Sequence, residues 1–119
     1  MAKVMITDDS LFIRVKIAKL LARHGYETVQ AEDGEQAVRV YRETSPDAVL
    51  MDVTMPHKNG LQALAEILQF APEARIIMLT ALAQKSVATT AVMFGAKDFL
   101  VKPIHPDQLI MALDRVLAA

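Results

Sequence analysis

The chain has 119 residues, 53% of them hydrophobic, and no cysteine. That suits one globular domain with a real core, residues 1–119, and excludes a disordered tract, a disulfide scaffold and a thiolate metal site. Fourteen acidic and thirteen basic residues leave a formal net charge of −1, which advertises neither nucleic acid nor a membrane surface as partner. No apolar run approaches the ~20 residues of a membrane span and the N-terminus lacks a secretory h-region, so a cytoplasmic protein is expected.

Along the chain, short apolar runs alternate with segments of helical period. Lys3–Thr7 reads as a buried strand. Ser10 is placed to cap a helix whose Ile13, Ile17, Leu20 and Leu21 make one stripe, and Gly25 sits where that helix should stop. Tyr26–Ala31 alternates weakly and is expected near a sheet edge. Asp33-Gly34-Glu35 opens a helix carrying Ala37, Val40 and Tyr41, which Ser45-Pro46 breaks. Asp47–Asp52 is the second strong strand. A loop, Val53–Asn59, leads through Gly60 to a helix with Leu61, Leu64, Ile67 and Leu68, ended by Pro72. Arg75–Thr80 is a third buried strand, followed by a helix from about Gln84 to Phe94 and closed by Gly95. Lys97–Lys102 is the last strand, and Leu109, Ile110, Leu113, Val116 and Leu117 stripe a final helix. Strand–helix alternation with near-continuous apolar strands predicts an α/β doubly wound parallel sheet of five strands, flavodoxin-like in class, with five helices covering both faces.

Polar residues close these apolar runs. Asp8 and Asp9 follow Val4–Thr7, Asp52 ends Ala48–Met51, Thr80 ends Ile76–Leu79, and Lys102 ends Phe99–Val101. In a parallel sheet those ends share one edge, where open α/β sheets bind ligands. Three acids in one crevice would repel one another without a cation or proton. Oxygen ligands with no His or Cys at metal spacing favour Mg²⁺ or Mn²⁺ over zinc. Lys102 and the Thr80 hydroxyl could then meet phosphoryl oxygens. An aspartate can itself be the nucleophile, forming an acyl phosphate. Asp52 is the candidate, because Asp8 and Asp9 lie at a helix start and suit metal ligation. Each residue alone is commonplace, Asp9 as a helix cap and Asp52 as a loop acid. Their joint placement at several strand ends makes one phosphoryl-transfer site the better reading.

Asp8-Asp9-Ser10, Asp52-Val53-Thr54-Met55-Pro56 with Gly60, Thr80-Ala81, and Phe99-Leu100-Val101-Lys102-Pro103 together resemble the receiver domain of two-component response regulators, over essentially the whole chain. The Asp-Val-Thr-Met-Pro segment and Gly95–Phe99 look most like stand-alone regulators of the chemotaxis CheY type. The resemblance implies sheet order 2-1-3-4-5 and a phosphoryl group taken from a histidine kinase onto Asp52. It also implies Mg²⁺ held by Asp9, Asp52, the Thr54 backbone carbonyl and, largely through water, Asp8. Lys102 would pair with the phosphoryl group, Thr80 would move toward it, and Phe99 would repack as the aromatic switch. A cis Lys102-Pro103 peptide is implied too. The output face would comprise the last two helices and last strand, bound by another protein rather than by nucleic acid. The protein would be a monomer that catalyses only its own phosphorylation and dephosphorylation. Kinase choice is expected to lie around Leu11, Phe12 and Val15 of the first helix.

Three positions are distinctive within the family: Phe99 lacks the hydroxyl of the tyrosine found in many relatives, and neither Thr54 nor Leu82, where hydrolysis is tuned, is acidic or amide. Rival readings are a receiver cut from a larger regulator or hybrid kinase, a small Asp-nucleophile phosphatase, and a flavodoxin-like cofactor binder. A phosphatase would need a substrate-enclosing cap and an Asp-x-Asp pair, neither of which is here. The acidic loop after the first strand would repel FMN. His24, His57 and His105 read as ordinary loop histidines.

Overall fold

Branched and apolar residues in runs of four to five form strands covered on both sides, and longer amphipathic segments supply the cover. The computed structural model describes residues 1–118. In chain order the elements are β1 (Lys3–Thr7), α1 (Leu11–Arg23), β2 (Glu27–Ala31), α2 (Gly34–Thr44), β3 (Ala48–Asp52), α3 (Gly60–Phe70), β4 (Ile76–Thr80), α4 (Lys85–Met93), β5 (Asp98–Val101) and α5 (Pro106–Ala118). All strand pairings are parallel, in the order β2-β1-β3-β4-β5. The weakly patterned strand, β2, lies at an edge as its sequence suggests, because an edge strand has one neighbour and needs less continuous apolar character.

The strand period of two sorts the core into two layers. Met5, Val49, Met51, Ile76 and Met78 face α2, α3 and α4, where Ala37, Ala63, Leu64, Ile67, Ala88 and Ala91 are buried. Val4, Ile6, Leu50, Ile77 and Leu79 face α1 and α5, meeting Ile17, Leu21, Leu109 and Leu113. This two-sided cover requires the crossover helices and leaves only the strand ends open.

Local chemistry sets where the helices begin. The Ser10 hydroxyl accepts from the Ile13 N–H at 3.3 Å, and Asp33 caps α2 through the Gln36 N–H at 2.8 Å. Asn59 and Gln62 form a reciprocal capping box at the start of α3. Ser45, ending α2, takes the left-handed conformation at φ 45° before Pro46. After β4 the chain makes a 3₁₀ turn, Leu82–Gln84, before α4, whose ends lie within one residue of the expected Gln84 and Phe94. No side chain caps either start, so the orphan amide groups are met by a tighter turn.

Candidate active site at the C-terminal strand edge

β1 and β3 are central neighbours, in register from Val4↔Ala48 to Thr7↔Met51, so Asp8 and Asp52 emerge side by side. One carboxylate oxygen from each of Asp8, Asp9 and Asp52 lies within 4.8 Å of the others. Asp8 and Asp52 are buried and Asp9 is exposed. Asp8 is held from several directions. Its N–H donates to the Ala31 carbonyl at 3.2 Å, and one carboxylate oxygen accepts from the Ser10 N–H at 2.9 Å. Its own carbonyl accepts from Arg14 Nη1 at 2.6 Å. Arg14, buried on α1, thereby braces the acid loop, a role with no signal in the sequence beyond a cation inside an apolar stripe.

Lys102 reaches in from the end of β5, with Nζ 3.1 Å from Asp8 Oδ2 and 3.4 Å from Asp52 Oδ1. Its N–H donates to the Thr80 carbonyl at 2.7 Å, and the following Lys102-Pro103 peptide is cis. Thr80 is fully buried, and its hydroxyl donates to the Ala81 carbonyl at 3.0 Å. Phe99 is half-buried and packs against the layer that holds α4. Burial pushes the Asp52 carboxyl up to about 6; Lys102 pulls it down and Asp8 pushes it up. Burial alone would lower Lys102, but Asp52 and Asp8 outweigh it and raise its pKa. Three carboxylates facing one ammonium carry excess negative charge, and all three offer hard oxygen donors. This donor set fits Mg²⁺ or Mn²⁺.

Two glycines let the backbone close around the site. A Cβ at Gly60 would lie 2.1 Å from the Asp52 carbonyl oxygen, so the start of α3 can approach β3 only without a side chain. A Cβ at Gly34 would meet the Lys58 carbonyl oxygen at the same 2.1 Å, where the Gly34 N–H donates at 2.9 Å.

A sequence model described as the response regulator receiver domain matches residues 4–114. The chain belongs to the response regulator receiver family. This receiver is 46% identical over 116 residues to the chemotaxis protein CheY of Bacillus subtilis (strain 168), covering 97% of each chain. It is 46% identical over 118 residues to protein CcdB of the same organism, covering 98% of each. In three dimensions it is similar to a response regulator receiver domain protein from Clostridium thermocellum, with TM-score 0.95 and 30% identity over 99% of this chain and 95% of that one. It is therefore a phospho-accepting response regulator domain, whose family implies a histidine kinase as partner. No helix among the described residues is long and apolar enough to cross a membrane.

Every strand-end residue singled out from sequence reaches this edge: Asp8, Asp9 and Asp52 together, Lys102 between two of them, and Thr80 on the neighbouring strand. Thr54 follows in the β3–α3 loop, its N–H 3.4 Å from Asp52 Oδ1. His57, read as an ordinary loop residue, has a partner. Its ring Nδ1 lies 3.0 Å from Asp33 Oδ2, and its backbone takes φ 65°. His24 Nδ1 lies 3.0 Å from the Leu20 carbonyl at the end of α1, away from the site. Gln84, also missed, donates through its side-chain amide to the Thr54 hydroxyl. Neither partner pair has a sequence signal, because each joins loops far apart in the chain.

Proposed function

We propose that Asp52 is the phosphoacceptor of a chemotaxis-type response regulator whose receiver domain occupies residues 1–119. A carboxylate oxygen of Asp52 attacks the phosphorus of a phosphohistidine on the kinase. The O–P bond forms as the P–N bond breaks, and the electron pair remains on the imidazole, which takes a proton from solvent. Water later attacks the phosphorus, breaking the O–P bond and releasing inorganic phosphate and the carboxylate. Asp9 and Asp52 directly, Asp8 through water and the Thr54 carbonyl would hold Mg²⁺, with Mn²⁺ able to substitute, and the bound cation offsets negative charge on the phosphoryl oxygens. Lys102 pairs with the phosphoryl group in place of part of its pairing with Asp8 and Asp52. The protein catalyses only its own phosphorylation and dephosphorylation.

The observation that carries this reading is Asp52 itself: buried at the end of a central strand, within metal-ligand reach of two further acids and 3.4 Å from a lysine. Thr80 then turns from Ala81 toward the added group, and Phe99 repacks into the space released. The surface of α4, β5 and α5 changes as a result, and output proteins prefer one state of it. Met93 and Met111 are exposed on that surface, at 82% and 65%. The kinase docks on α1, where Leu11 and Phe12 stand 62% and 74% exposed next to the acid loop. Chemotaxis signalling is supported by full-length similarity to proteins of that name, and a cytoplasmic monomer accords with such a role.

Intact mass after incubation with acetyl phosphate and Mg²⁺ tests the chemistry. One phosphoryl group should appear on the wild type, vanish with EDTA, and be absent from Asp52→Asn. Equal labelling of wild type and Asp52→Asn would sink the assignment.

A further inference from the structure

The Ala81 carbonyl accepts two hydrogen bonds in this structure. One comes from the Thr80 hydroxyl at 3.0 Å, the other from the Gln84 N–H at 2.9 Å. Thr80 therefore cannot turn its hydroxyl toward Asp52 without leaving the carbonyl that also anchors the 3₁₀ turn. The far end of that turn is tied across the site, since the Gln84 side-chain amide donates to the Thr54 hydroxyl. Thr54 is a firm post. Its loop is fixed to α2 by the Gly34–Lys58 backbone bond and the Asp33–His57 pair, and its two ends are joined by the Gly60 N–H on the Val53 carbonyl at 2.9 Å. By contrast, Ala81, Leu82 and Ala83 are exposed, Leu82 at 72%, and no side chain caps α4. Gln84 is half-buried, and its bond to Thr54 joins the exposed, uncapped flank of the site to the well-tied one.

We propose that Gln84 is a positioning residue, a latch that holds the Thr80–Gln84 segment in its resting arrangement through Thr54. The latch acts on the equilibrium between resting and phosphoryl-directed Thr80. A bond present only in the resting state adds its free energy to the cost of switching. Removing it makes the switch easier, and any ligand selecting the switched state binds more tightly by the same factor. This inference rests on Asp52 as acceptor and Thr80 as the moving group.

Beryllofluoride with Mg²⁺, a phosphoryl mimic, is the probe, titrated into the full chain while NMR follows the Phe99 ring and the α4 amides. Gln84→Ala and Thr54→Val should each tighten the apparent affinity about two- to fivefold, the range expected for losing one partly exposed side-chain hydrogen bond. The double variant should gain no more than either single one, because both remove the same bond. Thr54→Ser keeps the hydroxyl, so without metal its exchange at residues 84–88 should match wild type, which a role in packing alone would not predict. In the protein without metal or beryllofluoride, hydrogen exchange at residues 84–88 should quicken in Gln84→Ala and Thr54→Val. Unchanged or weakened affinity in Gln84→Ala, additive effects, or unchanged exchange would each overturn the latch. A wild type that fails to take up beryllofluoride at all would overturn the acceptor assignment instead, while the exchange rates still decide the latch.

Discussion

On one side of Asp52 the β3–α3 loop is tied down by the Gly34–Lys58 bond, the Asp33–His57 pair, the Lys58–Glu66 ion pair and the Asn59–Gln62 capping box. On the other side the β4–α4 connection is an uncapped 3₁₀ turn, and α4 buries only Ala88 and Ala91. The helix behind the fixed flank, α3, buries Leu64 and Ile67 as well as Gly60 and Ala63. Both flanks border the same carboxylate, yet one is densely tied and well packed and the other is not. Regions with few buried apolar contacts open at lower free-energy cost than well-packed ones. The proposed mechanism needs both properties: the residues that would hold the metal stay placed while Thr80 and its helix move.

The asymmetry can be broken most severely from the packed side. Leu64→Ala should cost about 2–5 kcal/mol, since a fully buried leucine leaves a cavity. Denaturant melts read this directly, and a loss no greater than that from Met93→Ala would contradict the contrast. Next comes Gly60→Ala, whose Cβ would lie 2.1 Å from the Asp52 carbonyl, at the upper end of the about 1–3 kcal/mol that overpacking costs. It should also slow phosphorylation by acetyl phosphate, because any relief of the clash displaces the acceptor strand.

A gain is expected at Thr7, whose hydroxyl is buried without a partner among the described residues. Thr7→Val removes an unsatisfied donor at nearly constant shape and should stabilise the fold by up to about 1 kcal/mol, seen as a raised Tm. Such a gain sharpens the picture of a fixed scaffold under the acids; a loss would mean that the hydroxyl has a role in the strand.

The His57–Asp33 tie makes the fixed flank pH-dependent. The Asp33 hydrogen bond and charge raise the His57 pKa above 6.5, while the Gln36 N–H, outweighing burial, and then His57 lower Asp33 below 3.8. The histidine's contribution is fully present below pH 6.5 and lost as pH rises through its higher folded value. The aspartate's is present above pH 3.8 and lost as pH falls through its lower folded value. Stability conferred by the pair should thus be greatest between about pH 4 and 6.5 and fade in alkali. His57→Asn, which tolerates the positive φ, should flatten that profile in Tm measurements; a parallel profile would remove the tie from the account. The smallest effects belong to the open flank. Leu82→Ala and Met93→Ala, at 72% and 82% exposed, should each stay within about 0.5 kcal/mol of wild type.

Much of this molecule was legible in its residues. Near-continuous apolar runs separated by helical stripes admit few arrangements other than a doubly wound parallel sheet, and parallel strands bring like ends to one edge. Asp8, Asp9, Asp52, Thr80 and Lys102 could therefore be placed together without coordinates. The capping box at Asn59 is also legible in sequence, as an N-cap followed three residues later by Gln62. What only the tertiary structure decided are the ties between loops: Arg14 on the Asp8 carbonyl, His57 on Asp33, the Lys58 carbonyl on Gly34, and Gln84 on Thr54. Strands and helices announce themselves because burial repeats at a fixed period, whereas a loop's partner depends on where packing of the surrounding elements happens to place it. The same holds for the pKa of Asp52, which is carried up to about 6 mainly by burial, a property of the folded neighbourhood rather than of the residue.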